Sequence, residues 1–328
     1  MQAEFESFHS LVRTSGKFVL TTHINPDGDG LGSECALACH LRDLGKDVRI
    51  LNHSDTPSNY TFLERFFPIT RFQADKHEKL VLNADALVVL DTNHPDRLAG
   101  MKSAVERSRA KKVCIDHHLD PASFADQYIL DDSSTATGEI LYHLLTANDS
   151  SSISASVASC LYAAIMTDTG SFRYPKTDSE THRIIAHLID RGADPVDIYE
   201  RIYEQGSFNR MRLLGEALAA MRVVHGGKVA YLSITRAMLK ETETTEVDTD
   251  AFVPYTMSIQ NVQIGMMFTE LADGVKINFR SKGEIRINEL AKEFGGNGHK
   301  NAAGARIARK GLADVLPVVV ERSASFII

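Results

Sequence analysis

The chain has 328 residues, of which 43% are hydrophobic and 24% charged, and its formal net charge is −7. This length exceeds what one core usually holds, so we expect a globular protein with two domains. The acidic balance argues against long duplex nucleic acid as a partner, which requires a basic face, but it leaves room for a short anionic substrate. Apolar runs fall far short of the roughly 20 residues of a membrane span, and residues 1–10 lack a signal-peptide pattern, so we expect a cytoplasmic protein without a membrane partner.

Short apolar strands alternate with helix patterns in the first part of the chain. Strand patterns occur at 18–22, 47–51, 86–90 and 113–115. A helix pattern at 31–44 connects the first two strands, and Gly45 supplies its C-terminal stop. This alternation predicts an α/β fold with a doubly wound, mainly parallel sheet, in which ligands collect beyond the carboxyl ends of the strands.

Helix patterns dominate from residue 136, and a second, smaller α/β domain follows them. The helices are predicted at 136–147, 153–166, 180–191 and 196–205. The second domain shows strand patterns at 223–224, 229–234, 262–269 and 275–280, hairpin turns at Gly226-Gly227 and Asp273-Gly274, a helix near 286–294 and a loop at 295–304. We therefore divide the chain into a first domain at 1–191, a linker at 192–208 and a second domain at 209–328.

Histidine and aspartate side chains stand at the ends of several of these elements. Pro26 and Gly28 favour a sharp, non-helical path after the first strand, and this path lets the polar side chains around them converge. Asp116-His117-His118 follows the fourth strand pattern. The candidate metal ligands at these element ends are His23, Asp27, Asp29, Asp91, His117 and Asp168.

This set of side chains indicates a metal site. A single aspartate at a strand end usually caps a helix or forms a turn, but four of them without a neighbouring lysine or arginine would repel each other and raise their pKa values. A cation is the simplest source of positive charge, and oxygen ligands with some imidazole suit Mn²⁺ or Mg²⁺. Six ligands are too many for one hydrolytic ion, but they suffice for two ions that share a carboxylate and clamp a phosphoryl group.

A glycine-rich segment in the second domain is a candidate phosphate site. It reads Gly295-Gly296-Asn297-Gly298-His299 and is followed by small residues at 302–304. Glycines let backbone N–H groups open into one concavity that holds phosphate oxygens, although a glycine-rich loop by itself is often a plain turn. His299 within the segment and Arg280 at a strand end favour an anion site, because arginine forks two phosphate oxygens in one plane.

These motifs together resemble those of the DHH phosphoesterase superfamily, in the branch with a C-terminal DHHA1 domain. Residues 23–29 resemble its first motif, Asp91 the second, Asp116-His117-His118 the third and Asp168 the fourth. Residues 295–304 resemble the DHHA1 signature, although Asn297 stands where the family usually has a third glycine. The resemblance covers nearly the whole chain, in the expected order, and implies an active-site cleft between the two domains.

The resemblance also implies roles for these residues and a cofactor of two Mn²⁺, with Mg²⁺ or Co²⁺ as alternatives. A bridging hydroxide would attack phosphorus, and Asp91 would bridge the two ions. His118 would contact the scissile phosphate or protonate the leaving oxygen, while Asp116 would orient the ligands. One ion would be held by His23, Asp27 and Asp91, and the other by Asp29, Asp91, His117 and Asp168. The far phosphate or sugar of the substrate would be bound by Arg280, Gly296, Asn297, Gly298 and His299.

Chains of this size with only these two domains resemble the nano-RNase (oligoribonuclease) and pAp-phosphatase group. The resemblance implies Mn-dependent hydrolysis of very short RNA oligonucleotides and of 3′-phosphoadenosine 5′-phosphate (pAp), and it is compatible with a homodimer. The alternatives are a phosphodiesterase for cyclic di-AMP or linear pApA and a pyrophosphatase or exopolyphosphatase. From another class, the alternative is a nucleotide-binding sensor without catalysis.

Overall fold

The computed structural model describes residues 1–147 and 153–328. The chain forms two units, residues 1–205 and 206–328, and they divide inside the segment 192–208 that the sequence assigns to a linker. The domain boundaries themselves stay a prediction. Among the helices of the described residues, none is both long enough and apolar enough to span a membrane.

A parallel sheet lies at the centre of the first unit. Its strand order is β3-β2-β1-β4-β5-β6, and each neighbouring pair is parallel. The central strand β4 is buried along its whole length, as expected for a parallel sheet that helices cover on both faces. The strands are β1 (Lys17–Thr21), β2 (Asp47–Asn52), β3 (Ile69–Arg71), β4 (Ala86–Leu90), β5 (Lys111–Asp116) and β6 (Gln127–Leu130).

Two hydrophobic clusters fill the space between this sheet and its helices. Alternate residues of a strand point to opposite faces, so Phe18 and Leu20 enter one cluster while Val19 enters the other. The predicted doubly wound α/β arrangement is therefore confirmed. The helices of this unit are α1 (Gln2–Thr14), α2 (Gly28–Asp43), α3 (Ala74–Leu82), α4 (Lys102–Arg107), α5 (Thr137–Thr146), α6 (Ala155–Asp168), α7 (Ser179–Asp190) and α8 (Pro195–Tyr203).

A mixed sheet forms the second unit, with the order β11-β12-β10-β9-β8-β7. Only β8 and β9 pair in parallel within this described sheet, and the two predicted hairpin turns connect β7 to β8 and β9 to β10. One face packs against α12 and α13. The elements are α9 (Phe208–Ala219), β7 (Arg222–Val224), β8 (Val229–Ile234), α10 (Arg236–Glu241), α11 (Pro254–Met257), β9 (Ile264–Glu270), β10 (Gly274–Ser281), α12 (Ile287–Glu293), β11 (Asn297–His299), β12 (Ala302–Ala308) and α13 (Leu312–Ser323).

The prediction of a loop at 295–304 is wrong, because this segment contains a β-hairpin. β11 pairs with β12 in the register Asn297 to Gly304 and His299 to Ala302. Glycine and asparagine are poor strand formers, so the local sequence does not predict a strand here. The strand forms because it pairs with β12. Gly295 (75°) and Gly298 (149°) have positive φ angles, but Asn297 does not. Asn297 therefore stands in strand backbone that does not require a glycine.

Helices α2 and α6, which carry candidate ligands at their ends, approach each other closely at Gly32. A Cβ atom at Gly32 would lie 2.7 Å from the carbonyl oxygen of Cys160 and 3.0 Å from the Cβ of Ala164. We expect Gly32→Ala to lower the free energy of unfolding of the first unit by about 1–3 kcal/mol, the usual effect of overpacking. Urea denaturation measures this change.

Gly215 in α9 provides the matched control, because no atom lies within 4 Å of a Cβ added there. Gly215→Ala should raise the stability of the second unit by about 1 kcal/mol, since alanine forms helices better than glycine. Equal stability of Gly32→Ala and the wild type would contradict the close contact between α2 and α6.

Candidate functional site

The predicted metal ligands converge at the carboxyl ends of β1, β4 and β5, three neighbouring strands. Parallel strands end at one edge of a sheet, so side chains that follow them meet there. Asp91 directly follows β4 with a φ of 57°, a left-handed conformation that aspartate tolerates better than most residues. Asp168 is the last residue of α6 and reaches the same place. Groups of three with ligand atoms within 4.8 Å of one another include His23, Asp27 and Asp91, and also Asp29, His117 and Asp168.

Asp27 and Asp29 are positioned by helix ends. Asp27 is the N-cap of α2, where its Oδ1 accepts hydrogen bonds from the N–H groups of Asp29 (3.1 Å) and Gly30 (3.2 Å). The other oxygen of Asp27, Oδ2, faces His23 and the remaining candidate ligands. Asp29 accepts hydrogen bonds from the first N–H groups of α5, at Thr137 (2.7 Å) and Gly138 (2.9 Å). Each of these carboxylates therefore satisfies otherwise unpaired N–H groups of a helix while it faces the other ligands.

Asp91 presents its two carboxylate oxygens to two different histidines. Its Oδ2 lies 3.3 Å from Nε2 of His23, and its Oδ1 lies 3.7 Å from Nε2 of His117. The hydroxyl of Thr137 donates a hydrogen bond of 3.2 Å to Oδ1. One fully shielded carboxylate thus connects the two groups of candidate ligands, which is the position that a bridging ligand would need.

Backbone carbonyls orient the rings of His23 and His117. Nδ1 of His23 donates to the carbonyl oxygen of Ile24 at 2.9 Å, and Nδ1 of His117 lies 3.4 Å from that of Ser134. A carbonyl only accepts, so Nδ1 carries a proton and Nε2 is the ring nitrogen that faces the carboxylates. Nε2 of His117 is also 3.4 Å from Oδ2 of Asp168. Metal coordination would use Nε2 after this nitrogen has lost its proton, with Nδ1 still bonded to the carbonyl oxygen.

Asp116 contacts both neighbouring histidines of its triplet. It is fully buried at the end of β5, and its Oδ1 accepts hydrogen bonds from the N–H of His117 (2.9 Å) and from Nδ1 of His118 (2.7 Å). This hydrogen bond raises the pKa of His118 above its usual value. Since Nδ1 of His118 is occupied by Asp116, Nε2 is the ring nitrogen that can serve a substrate, and the half-exposed side chain is accessible.

The electrostatics of the cluster fit a bound cation. Within the described residues, the salt-bridge partners of its four aspartates are histidines. Burial raises the pKa of Asp29 well above its usual value, and the charges of Asp91 and Asp168 add to this effect. Burial also raises the pKa of Asp168, to about 6. Burial alone would lower the pKa of His23, but hydrogen bonds to Asp27 and Asp91 outweigh it and raise that pKa to about 10.

The structure brings Arg280 and His299 of the second unit into one row across its sheet. Both stand opposite Ala302, on either side of β12, so their Cα atoms are roughly 10 Å apart and their side chains share a face. The next row on this face contains Asn278, opposite Gly304. Oδ1 of Asn278 is buried and has no hydrogen-bond partner among the described residues. The sequence pattern does not single out Asn278, because its position depends on strand pairing.

Two of the backbone N–H groups that would form the predicted phosphate-binding concavity already make hydrogen bonds within the protein. The N–H of Gly296 donates to the carbonyl oxygen of Ala291 at 2.8 Å, which closes the end of α12. The N–H of Gly298 donates to Oδ1 of Asn297 at 2.8 Å. Substrate binding by the segment 296–299 stays a prediction, and it rests on side chains more than on these N–H groups.

Comparison with known proteins accounts for both units. The model of the DHH family, N-terminal domain, matches residues 17–165, and the model of the DHHA1 domain matches residues 226–326. The chain belongs to the DHH family. It is an enzyme, a hydrolase that acts on ester bonds.

Relatives of this DHH-family chain match it over almost its full length. It is 32% identical to the bifunctional oligoribonuclease and PAP phosphatase NrnA of Thermus thermophilus, over 92% of this chain and 87% of that protein. It is 26% identical to the protein of that name from Bacillus subtilis, over 90% and 92%. The crystal structure of an exopolyphosphatase-related protein from Bacteroides fragilis superimposes with a TM-score of 0.93 at 31% identity, covering 99% and 96% of the two chains.

Glu34 is a buried carboxyl behind the ligands that the sequence pattern misses. It lies in the apolar part of α2 and accepts a hydrogen bond of 2.8 Å from the side-chain amide of Asn52. Oδ1 of Asn52 in turn accepts the N–H of Thr22 at 3.2 Å, directly before His23. Burial raises the pKa of Glu34 from its ordinary value of 4.5 to about 8. Glu34 therefore supports the end of β1 as a neutral acid near neutral pH.

The folded enzyme thus holds the Glu34 proton more tightly than the unfolded chain does. The resulting stability is fully present below about pH 4.5 and is lost as the pH rises through about 8. In metal-free protein we expect Glu34→Gln to match the Tm of the wild type near about pH 5 and to exceed it by several degrees near about pH 9. Glu6→Gln, at an exposed site on α1, should follow the wild type at both pH values. Equal Tm values for all three proteins near pH 9 would contradict the burial of an ionisable Glu34.

Proposed function

We propose that the chain is a Mn-dependent phosphoesterase that hydrolyses very short RNA oligonucleotides and 3′-phosphoadenosine 5′-phosphate. The observation that carries this proposal is the carboxylate of Asp91, which faces His23 with one oxygen and His117 with the other. Such an arrangement suits two ions that act on one phosphoryl group. The names of the Thermus thermophilus and Bacillus subtilis relatives support the choice of substrate.

The ligands divide into two sets around Asp91. His23 and Asp27 would complete the first site, and Asp29, His117 and Asp168 the second. When bound, the ions supply Lewis acidity towards phosphoryl oxygens and lower the pKa of water. The protein contributes orientation, because helix N–H groups fix Asp27 and Asp29 while carbonyl groups fix the imidazole rings.

His118 and Asp116 form the group that would handle a proton. Asp116 holds the proton on Nδ1 of His118 at 2.7 Å and favours the protonated ring. Nε2 can then donate a hydrogen bond to a phosphate oxygen or a proton to the leaving oxygen. In the second unit, the row of Arg280 and His299, with Asn278 beside it, would bind a remote phosphate or sugar of the same substrate.

The alternative functions differ in what they require of the ligands. A nucleotide sensor without catalysis has no need of a complete ligand set, yet all six candidate positions carry competent side chains that the structure brings together. Cyclic di-AMP and its linear product pApA remain close alternatives, because pApA is itself a very short RNA. Pyrophosphate or polyphosphate lacks the sugar that the polar row of the second unit would bind.

One substrate panel with Mn²⁺ tests the proposed function. It compares kcat/KM for RNA of increasing length from the dinucleotide, pAp, cyclic di-AMP, linear pApA and pyrophosphate. We expect the shortest RNA and pAp to be hydrolysed fastest, with rates falling as the RNA becomes longer. Fastest hydrolysis of pyrophosphate, or equal rates on long and short RNA, would refute the proposal.

Replacing Asp91 tests the shared carboxylate. Asp91→Asn keeps the shape and tolerates the left-handed backbone, but an amide is a poor bridging ligand. We expect hydrolysis to fall by about a thousandfold or more, together with a loss of Mn²⁺ binding in calorimetric titration. Asp96→Asn, at an exposed aspartate that pairs with Lys102, should keep full activity. Near-normal turnover of Asp91→Asn would show that no bridging ligand is needed.

A further inference from the structure

A hollow of about 380 Å³ opens beside the candidate metal ligands in the first unit. His117 and Asp168 lie on one side of it, and Tyr174, Pro175 and Thr177 line it further from the ligands. This volume lies within the range of roughly 300–1,000 Å³ that is typical of small-molecule sites. A group bound here would therefore lie next to a phosphate held at the metal ligands.

The turn that directly precedes the lining residues 174–177 has an unusual backbone conformation. Gly170, Ser171 and Phe172 follow one another with φ angles of 56°, 58° and 63°. Consecutive left-handed residues that are not glycine cost free energy, so the surrounding structure must enforce them. The ring of Phe172 packs against that of Tyr162, with 5.9 Å between centroids, and anchors the segment.

This turn places the ring of Tyr174 against the backbone of Gly170. A Cβ at Gly170 would lie 2.5 Å from Cζ of Tyr174, so only glycine admits the ring at this position. The N–H of Tyr174 donates to the carbonyl oxygen of Thr169 at 3.0 Å, which fixes the main chain. Tyr174 nevertheless remains 55% exposed. A half-exposed aromatic ring on a fixed main chain is a suitable platform for a planar group.

Several polar groups around the hollow already donate hydrogen bonds to backbone carbonyl groups of the protein. Nζ of Lys176 donates to the carbonyl oxygen of Asp132 at 2.7 Å, and Nε of Arg173 donates to that of Gly170 at 2.7 Å. The hydroxyl of Thr169 donates a hydrogen bond to the carbonyl oxygen of Ile165 at 2.6 Å. Oγ1 of Thr177 is buried and has no partner among the described residues, so it offers no exposed group to a ligand in the hollow.

We propose that this hollow is a nucleobase subsite, in which one base of the substrate stacks on Tyr174 while its adjacent phosphate lies at the metal ligands. The inference deepens the proposed function and rests on it. Every base offers a π face, and the polar groups described around the hollow are bonded within the protein or buried, so the subsite accepts all four bases. It recognises the presence of a base and not its identity.

The test uses dinucleotides that lack one base. RNA dinucleotides that carry each of the four bases in turn are compared as substrates of the wild type. Two further analogues carry an abasic ribose, one at the first position and one at the second. We expect similar kcat/KM values for the four bases and a loss of about 5- to 100-fold for one of the two abasic analogues, as one stacked base contributes.

Variants of Tyr174 then assign this loss to the ring. Tyr174→Ala should lower kcat/KM for the intact dinucleotide by the same factor, mainly through KM, and leave the affected abasic analogue unchanged. Tyr174→Phe should match the wild type. Tyr199→Ala is the control, since Tyr199 is 41% exposed in the same unit and does not line the hollow. A loss with Tyr199→Ala, or an equal loss on intact and abasic substrates with Tyr174→Ala, would overturn the proposal.

A binding measurement separates the subsite from the proposed reaction. A 2-aminopurine dinucleotide with a methylenephosphonate linkage, which resists hydrolysis and whose fluorescence is quenched by stacking, is titrated with the wild type and with Tyr174→Ala in the presence of Mn²⁺. Quenching that disappears with Tyr174→Ala supports the subsite even if the panel refutes the proposed substrates. Quenching that is unchanged by Tyr174→Ala overturns the subsite and leaves the proposed hydrolysis standing.

Discussion

The repulsion among four carboxylates at one edge of the first sheet is the constraint on which this site depends. Hydrogen bonds hold the carboxylates in place without neutralising them: helix N–H groups bind Asp27 and Asp29, and the hydroxyl of Thr137 binds Asp91. The rings of His23 and His117 direct Nε2 inward because their Nδ1 atoms face carbonyl groups. The protein thus gathers acidic groups whose mutual repulsion a bound cation would relieve, in a geometry that helix N–H groups and carbonyl groups fix.

The cluster of candidate metal ligands could be predicted from the sequence because each residue stands closely after an apolar strand or at a helix end. The rule that parallel strands end at one edge then brings them together, and the observed order β1-β4-β5 agrees with it. Glu34 and Asn278 could not be found in this way. Their partners, Asn52 and Gly304, lie in other elements, so their significance appears only once the strands are paired.

Two glycine-containing segments show why local patterns mislead. Residues 295–304 read as a loop, yet pairing with β12 makes a strand of Asn297–His299. Residues 170–177 contain three successive left-handed residues that packing of Phe172 enforces. In both cases contacts distant in sequence override the intrinsic preference of the backbone. The strands and helices of regular apolar periodicity were predictable because their core contacts and their local preferences agree.

The two oxygens of Asp27 serve two structural purposes, and this limits how the site can be redesigned. Oδ1 starts helix α2, whereas Oδ2 faces His23. Exchanging this residue for histidine or cysteine to favour a softer metal would also remove the cap of a helix that packs against α6. The oxygen that would favour a hard cation therefore belongs to the same side chain that begins the helix, so a change of ligand at this position would also weaken the fold.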